Sequence, residues 1–86
     1  MIVRRPAATR VVHPQRIREA PYGHPLWIEA QLCDAIGATP EQAHITWEIH
    51  VATQPDQPPE RHPWQPGLPL PDRTVAVYAH AVWRTP

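Results

Sequence analysis

The residues with the widest chemical range in this 86-residue chain are six histidines and one cysteine: His13, His24, His44, His50, His62, His80 and Cys33. Three of the histidines stand directly before proline, as His13-Pro14, His24-Pro25 and His62-Pro63. None of the spacings makes an HExxH motif, and a single cysteine excludes the Cys₂His₂ and Cys₄ zinc frameworks. One weak metal candidate depends on how the strands pair. If the two strongest strand candidates are neighbours, His50 and His80 meet across them, with Glu48 or His44 available to complete a His/carboxylate set. Otherwise the histidines are expected on the surface or in ordinary hydrogen bonds, and no metal or other cofactor is expected.

The remaining residue types narrow the chemistry further. Serine, lysine, asparagine and phenylalanine are absent. Without serine there is no Ser-His-Asp triad, and without lysine there is neither a P-loop lysine nor a Schiff base. Without asparagine there is no N-glycosylation site. Cys33 falls at the margin of an apolar helix face, where a thiol is an inert, small core residue rather than a nucleophile. The carboxylates Glu29, Asp34, Glu41, Glu48, Asp56, Glu60 and Asp72 are scattered, whereas paired-acid catalysis needs two at a fixed separation across a cleft. The chain is therefore expected not to be an enzyme.

The elements that must position these residues are most legible between Pro25 and Thr53. Proline suits the first turn of a helix, because its missing N–H has no partner there in any case. Ile28, Leu32, Ala35 and Ile36 then share one face at helical spacing, extended by Leu26 and Cys33, and Gly37 is placed to end the helix. Trp27 falls on the polar side. Thr39-Pro40-Glu41-Gln42 has the form of a capping box, which predicts a further turn or two of helix. Residues 45–51 alternate, with Ile45, Trp47, Ile49 and Val51 facing a core and Thr46, Glu48 and His50 facing outward. Residues 74–84 form a second clear strand, with Val75, Val77, Ala79, Ala81 and Trp83 on one face and Tyr78, His80 and Val82 on the other.

The rest of the chain is shorter in signal. Ile2-Val3 and residues 9–13 are strand candidates stopped by Pro6 and Pro14, hence edge strands or one interrupted strand. Residues 15–24 are expected to be irregular, with Ile17 and Tyr22 tucked under the body. Residues 54–73 hold seven of the chain's prolines, which predicts polyproline II and turns rather than regular structure. The chain is thus read as a single small domain over residues 1–86: a basic arm (1–18), a helix-strand scaffold (25–53), a proline-rich loop (54–73) and a strand (74–84). The expected fold class is α+β, with one main helix on a mostly antiparallel sheet of three or four strands. A domain this small buries only about 60–65% of its unfolded surface, so its core is marginal without a partner.

Charge is zero overall but unevenly placed. Residues 1–18 carry five arginines and no acid, while residues 19–86 carry three arginines and eight acids, a net of −5. A basic arm can dock on phosphate or on an acidic surface. No apolar run approaches the roughly 20 residues that span a membrane, and the N-terminus lacks the apolar stretch of a signal peptide. An intracellular location, or incorporation into a viral particle, is expected. Abundant Ala, Pro and Arg with no Lys, Asn or Phe fits a GC-rich coding sequence of bacterial or bacteriophage type.

Residues 32–48 (LCDAIGATPEQAHITWE) resemble the helix-turn-helix of small repressors: a helix closing at Ile36-Gly37, a short turn, and a second helix opened by Thr39-Pro40-Glu41-Gln42. The resemblance implies a DNA-binding regulator. The segment departs from that family at Cys33, where alanine is usual, and in offering no Arg or Lys to the phosphates. The favoured expectation is a small non-enzymatic protein-interaction or structural subunit, oligomeric or bound to another protein. A bacteriophage virion component or an inhibitor of a host protein is the most concrete form. Its expected contact residues are Arg4, Arg5 and Arg10 in the arm, which also leaves nucleic acid open as a partner, and Trp64, Leu68 and Leu70 in the proline segment. That segment either docks into a partner's groove or folds back over its own sheet.

Overall fold

The structure, a computed structural model, describes residues 5–20 and 25–84. In chain order its elements are β1 (Ala8–Val12), α1 (Pro14–Glu19), α2 (Leu26–Ile36), β2 (Ala43–Val51), β3 (Glu60–Trp64) and β4 (Thr74–Trp83). The strands form one antiparallel sheet in the order β1-β4-β2-β3, so the fold is α+β with two short helices on an open four-stranded sheet. The strong strands β2 and β4 pair at the centre, and the short ones flank them as edges.

The core lies on the helix-bearing side. The inward residues of β2 and β4 (Ala43, Trp47, Ile49, Val77, Ala79, Ala81) meet Ile28, Leu32, Cys33 and Ile36 of α2, together with Val12 and Ile17. The three alanines bring the helix close to the sheet, and the bulky aliphatics of α2 fill the space above them. Pro25 occupies the N-cap of α2 without a side-chain cap bond, and Gly37 ends the helix at φ 70°, a left-handed conformation that glycine adopts without steric cost. Cys33 is buried, as its place on the face requires.

Several local expectations are revised. Residues 14–19 are helical rather than irregular: the His13 ring accepts the Gln15 N–H at 3.1 Å as N-cap, Pro14 takes the first helical position, and Ile17 is buried. Half of the capping box at Thr39 forms, with the Gln42 side chain accepting the Thr39 N–H at 3.0 Å. The chain then closes one turn and enters β2 at Ala43, because the alternating pattern that follows favours a strand. The second helix that a helix-turn-helix requires is not formed. Leu26 is exposed rather than on the packed face, and so is Val75, displaced by the bulge where Ala76 pairs with His50 and Thr74 with Val51.

The main revision concerns residues 54–73, within which β3 pairs Glu60–Trp64 with Val51–Trp47. The backbone bond from Arg84 N–H to Gln42 C=O fixes the alternation along β2: even-numbered residues bond toward β4 and odd-numbered ones toward β3. Pro63 faces Glu48, so its missing N–H would have pointed to solvent and the ladder loses nothing. Residues 65–73 return along the helix side, where Leu70 packs on the core and Arg18 donates to the Pro71 carbonyl at 3.3 Å. Ile2, Val3, Tyr22 and His24 lie outside the described residues, as does Arg4.

Candidate functional site

The face of the sheet opposite the helices carries most of the titratable side chains of the strands. Strand alternation puts Thr9 of β1, His80 and Tyr78 of β4, Glu48 and His50 of β2, and Arg61 of β3 on this side. They form a chain across all four strands. Thr9 Oγ1 lies 2.9 Å from His80 Nδ1, and His80 Nε2 lies 2.7 Å from Glu48 Oε1. Arg61 closes on the same carboxylate with both Nε (2.9 Å) and an Nη (3.1 Å). A carboxylate only accepts, so His80 carries its proton on Nε2, and in the neutral ring Nδ1 accepts from the Thr9 hydroxyl. The Arg61 hydrogen bonds, and then that from His80, hold the Glu48 carboxyl at about 2, well below its ordinary value.

His50 and His80 are not directly opposite. His80 pairs with Thr46 and His50 with Ala76, and Tyr78 stands between the two rings, stacked at 4.3 Å on His50 and 6.3 Å from His80. Both rings nevertheless turn toward Glu48, His50 Nε2 at 3.7 Å. The carboxylate is already gripped bidentately by a guanidinium, a cation in the place a metal would need. Among the described residues no group of three His, Cys, Asp or Glu side chains is arranged to hold a metal ion.

Hydroxyl, imidazole and carboxylate in sequence have the order of a nucleophile, base and orienting acid. Acyl transfer also needs N–H donors aimed at the developing oxyanion. Backbone amides of a sheet lie in its plane, along the ladder, and Arg61 is engaged on Glu48. The array acts as a transverse polar brace that ties both edge strands to the centre.

The second feature is the edge of β2. β3 ends opposite Trp47, where Gln65-Pro66-Gly67-Leu68 makes a tight turn, closed by a Leu68 N–H bond to the Gln65 carbonyl at 3.1 Å with Gly67 at φ 96°. Proline then glycine at the central positions is the sequence such a turn demands. The turn lifts the chain off the sheet, so among the described residues Ala43–Thr46 of β2 have a strand only on the β4 side. Alternation points the N–H and C=O of Ala43 and Ile45 at this open side. Those of Ala43 are satisfied, the N–H by the Thr39 carbonyl and the C=O by Arg84 Nε. The pair on Ile45 faces a groove of about 550 Å³ lined by Ile45, Trp47, Pro63, Trp64 and Leu68, with His44 and Thr46 at its rim.

The residues expected to touch partners separate accordingly. Trp64 is 5% exposed and packs edge-on against Trp47, with ring centroids 5.6 Å apart at 75°. It is part of this chain's own core and forms the wall of the groove. Leu70 is half-buried, and Leu68 stands at the groove mouth 54% exposed. Arg5 lies over the Trp83 ring at 5.0 Å, and Arg10 lies over Trp27 at 5.9 Å. The sequence reading passed over Arg61 and Thr9, because their roles depend on a strand register that only the fold supplies.

Comparison with protein-family models, curated proteins and solved structures finds no match to this chain. Among the described residues no helix is long and apolar enough to cross a membrane.

Proposed function

We propose that this protein is a non-enzymatic interaction subunit that receives an extended, apolar segment of another protein along the open edge of β2. The observation that carries the reading is the early end of β3. Among the described residues, it leaves the backbone donor and acceptor of Ile45 without a ladder partner on that side, at the floor of a groove walled by Trp47, Trp64 and Leu68. Strand addition supplies the missing ladder bonds, and the apolar wall selects alternate side chains of the incoming segment. Its polar lining is His44, Thr46 and Gln65, and among the described residues no arginine or carboxylate joins them, which favours an apolar segment over a charged one. One or two backbone bonds are a modest contribution, so burial against Leu68 and the tryptophans must supply most of the affinity. The composition, rich in Ala, Pro and Arg and free of Lys, Asn and Phe, makes a bacteriophage virion component or an inhibitor of a host protein the favoured setting. The regulator reading is less favoured, because its helix-turn-helix segment runs into a strand at residues 43–51.

The test is selection of binders from a random-peptide library. Selected peptides are then measured by fluorescence anisotropy against the wild type, Leu68→Asp and the control Val75→Asp, whose site is exposed away from the groove. The expected result is an alternating apolar consensus whose affinity falls about tenfold or more, equivalent to about 1.4 kcal/mol, in Leu68→Asp alone. No enrichment, or equal losses in both variants, refutes the reading. A dimer that Leu68→Asp dissolves would put a second copy of the chain in the groove and overturn the assignment to a different protein.

A further inference from the structure

Three elements converge at the opposite edge of the molecule, where β1 turns into α1 beneath the start of α2. Arg10 comes from β1, Arg16 from α1 and Trp27 from α2, and both guanidiniums lie against the one indole, at 5.9 and 5.8 Å from its centroid. Arg10 is held in place by a hydrogen bond to the Gln31 side chain. A concavity of about 170 Å³ opens between them, lined by Arg10, Val11, Val12, His13, Arg16 and Trp27. His13 accepts the Gln15 N–H on Nδ1, so in the neutral ring Nε2 carries the proton and is a donor. Every polar side chain of the lining is therefore a donor, and among the described residues no carboxylate lines the concavity. Of the acids nearest in sequence to the lining, Glu19 is engaged by Gln15 at 3.2 Å, and Glu29 faces a different concavity beside Leu26 and Cys33.

We infer that this corner binds a phosphate group carrying a stackable base, as in a nucleotide or a single-stranded nucleic acid. Two guanidiniums around one small cavity repel each other unless an anion lies between them, and planar guanidinium forks match phosphate oxygens. The cavity is smaller than the roughly 300 Å³ at which pockets enclose drug-sized ligands, so it takes the phosphate and leaves the base outside. Trp27 offers the base its shelf: it sits on the polar side of α2 and is 41% exposed. Base stacking on an exposed aromatic beside arginines is how sequence-tolerant single-strand sites are built. An acidic peptide would satisfy the cations but make no use of the indole face. The site is separate from the β2 groove and stands or falls independently of it.

The experiment follows the indole N–H resonances in ¹H–¹⁵N spectra of the full chain, assigned with Trp27→Leu. The chain is titrated with inorganic phosphate, thymidine monophosphate, a short oligothymidylate and a polyglutamate peptide. Both thymidine ligands are expected to shift the Trp27 resonance more than phosphate does. Arg10→Gln and Arg16→Gln should each weaken the oligonucleotide about tenfold, and Trp27→Leu should weaken it while sparing phosphate. The same spectra show whether each variant is folded. Oligothymidylate much tighter than the mononucleotide identifies a strand as the ligand, and similar affinities identify a free nucleotide. An unmoved Trp27 resonance at millimolar ligand, unchanged affinity in both arginine variants, or polyglutamate binding as tightly as oligothymidylate overturns the inference.

Discussion

Replacing Trp64 tests whether the proline-rich segment belongs to the fold. Its side chain is 5% exposed and meets Trp47 edge-on, yet its indole N–H is buried with no acceptor in reach among the described residues. Truncating a buried tryptophan to alanine costs about 3–5 kcal/mol through lost burial and the cavity left behind. The edge-to-face pair with Trp47 accounts for about 0.5–1.5 kcal/mol of coupling. A chain of 86 residues has about 4–13 kcal/mol of stability in all, so Trp64→Ala removes a large fraction of it. At about 4–8 °C per kcal/mol for a domain of this size, the midpoint of thermal unfolding falls by at least about 12 °C. Trp64→Phe behaves differently. It sacrifices part of the ring's burial but removes an orphan donor whose desolvation costs about 1–3 kcal/mol, so stability changes by no more than about 1 kcal/mol. Urea unfolding followed by far-ultraviolet circular dichroism measures both variants, and a Trp47→Ala/Trp64→Ala cycle isolates the coupling. If Trp64→Ala loses less than about 1 kcal/mol, Trp64 is not packed as described, and both the position of β3 and the groove wall are wrong.

Two further predictions concern the brace and the helix stop. Glu48 has its carboxyl held at about 2, below its unfolded value of 4.5. A depressed carboxyl contributes stability above the unfolded value that is lost as pH falls through the folded one, so the loss occupies the window from about 4.5 down to 2. Urea midpoints across that window should fall more steeply in the wild type than in Glu48→Gln; parallel curves would show that the Arg61 and His80 contacts do not form. Gly37→Ala meets no atom within 4 Å but must hold φ at 70°, so it should cost about 1–2 kcal/mol in the same assay, and no loss would mean that α2 ends elsewhere.

The centre of this architecture is written plainly in the sequence, and its edges are not. Ile45, Trp47, Ile49 and Val51 alternate because one side of β2 is buried, and the helix spacing of Ile28, Leu32 and Ile36 reflects the same core from the other side. Both patterns are local, and the antiparallel pairing of β2 with β4 follows from them. β3 was illegible because ERHPW shows no alternation and contains proline; it is a strand only because Pro63 falls at a register position whose N–H faces solvent. The short α1 rests on a histidine cap, an uncommon one, and on a single buried Ile17. Among site residues, exposure decided what composition could not. Trp64 and Leu68 looked alike as apolar residues between prolines, and only the Pro66-Gly67 turn separates the buried wall from the exposed mouth. His50 and His80 were correctly placed on one face, but Arg61, arriving from an unforeseen strand, gives their shared carboxylate a structural role.

The central claim is that the β2 edge is open at Ile45 and closes when an extended segment binds. Residue-resolved amide hydrogen exchange, on the free chain and on the chain saturated with a library-selected peptide, tests it most directly. In the free chain the Ile45 amide should exchange faster than those of Trp47 and Ile49, which are paired with β3, by on the order of tenfold or more. On peptide binding, Ile45 should gain protection while His44 and Thr46, already bonded to β4, change little. An Ile45 amide as protected as Trp47 in the free chain, or one unaffected by bound peptide, would contradict the account.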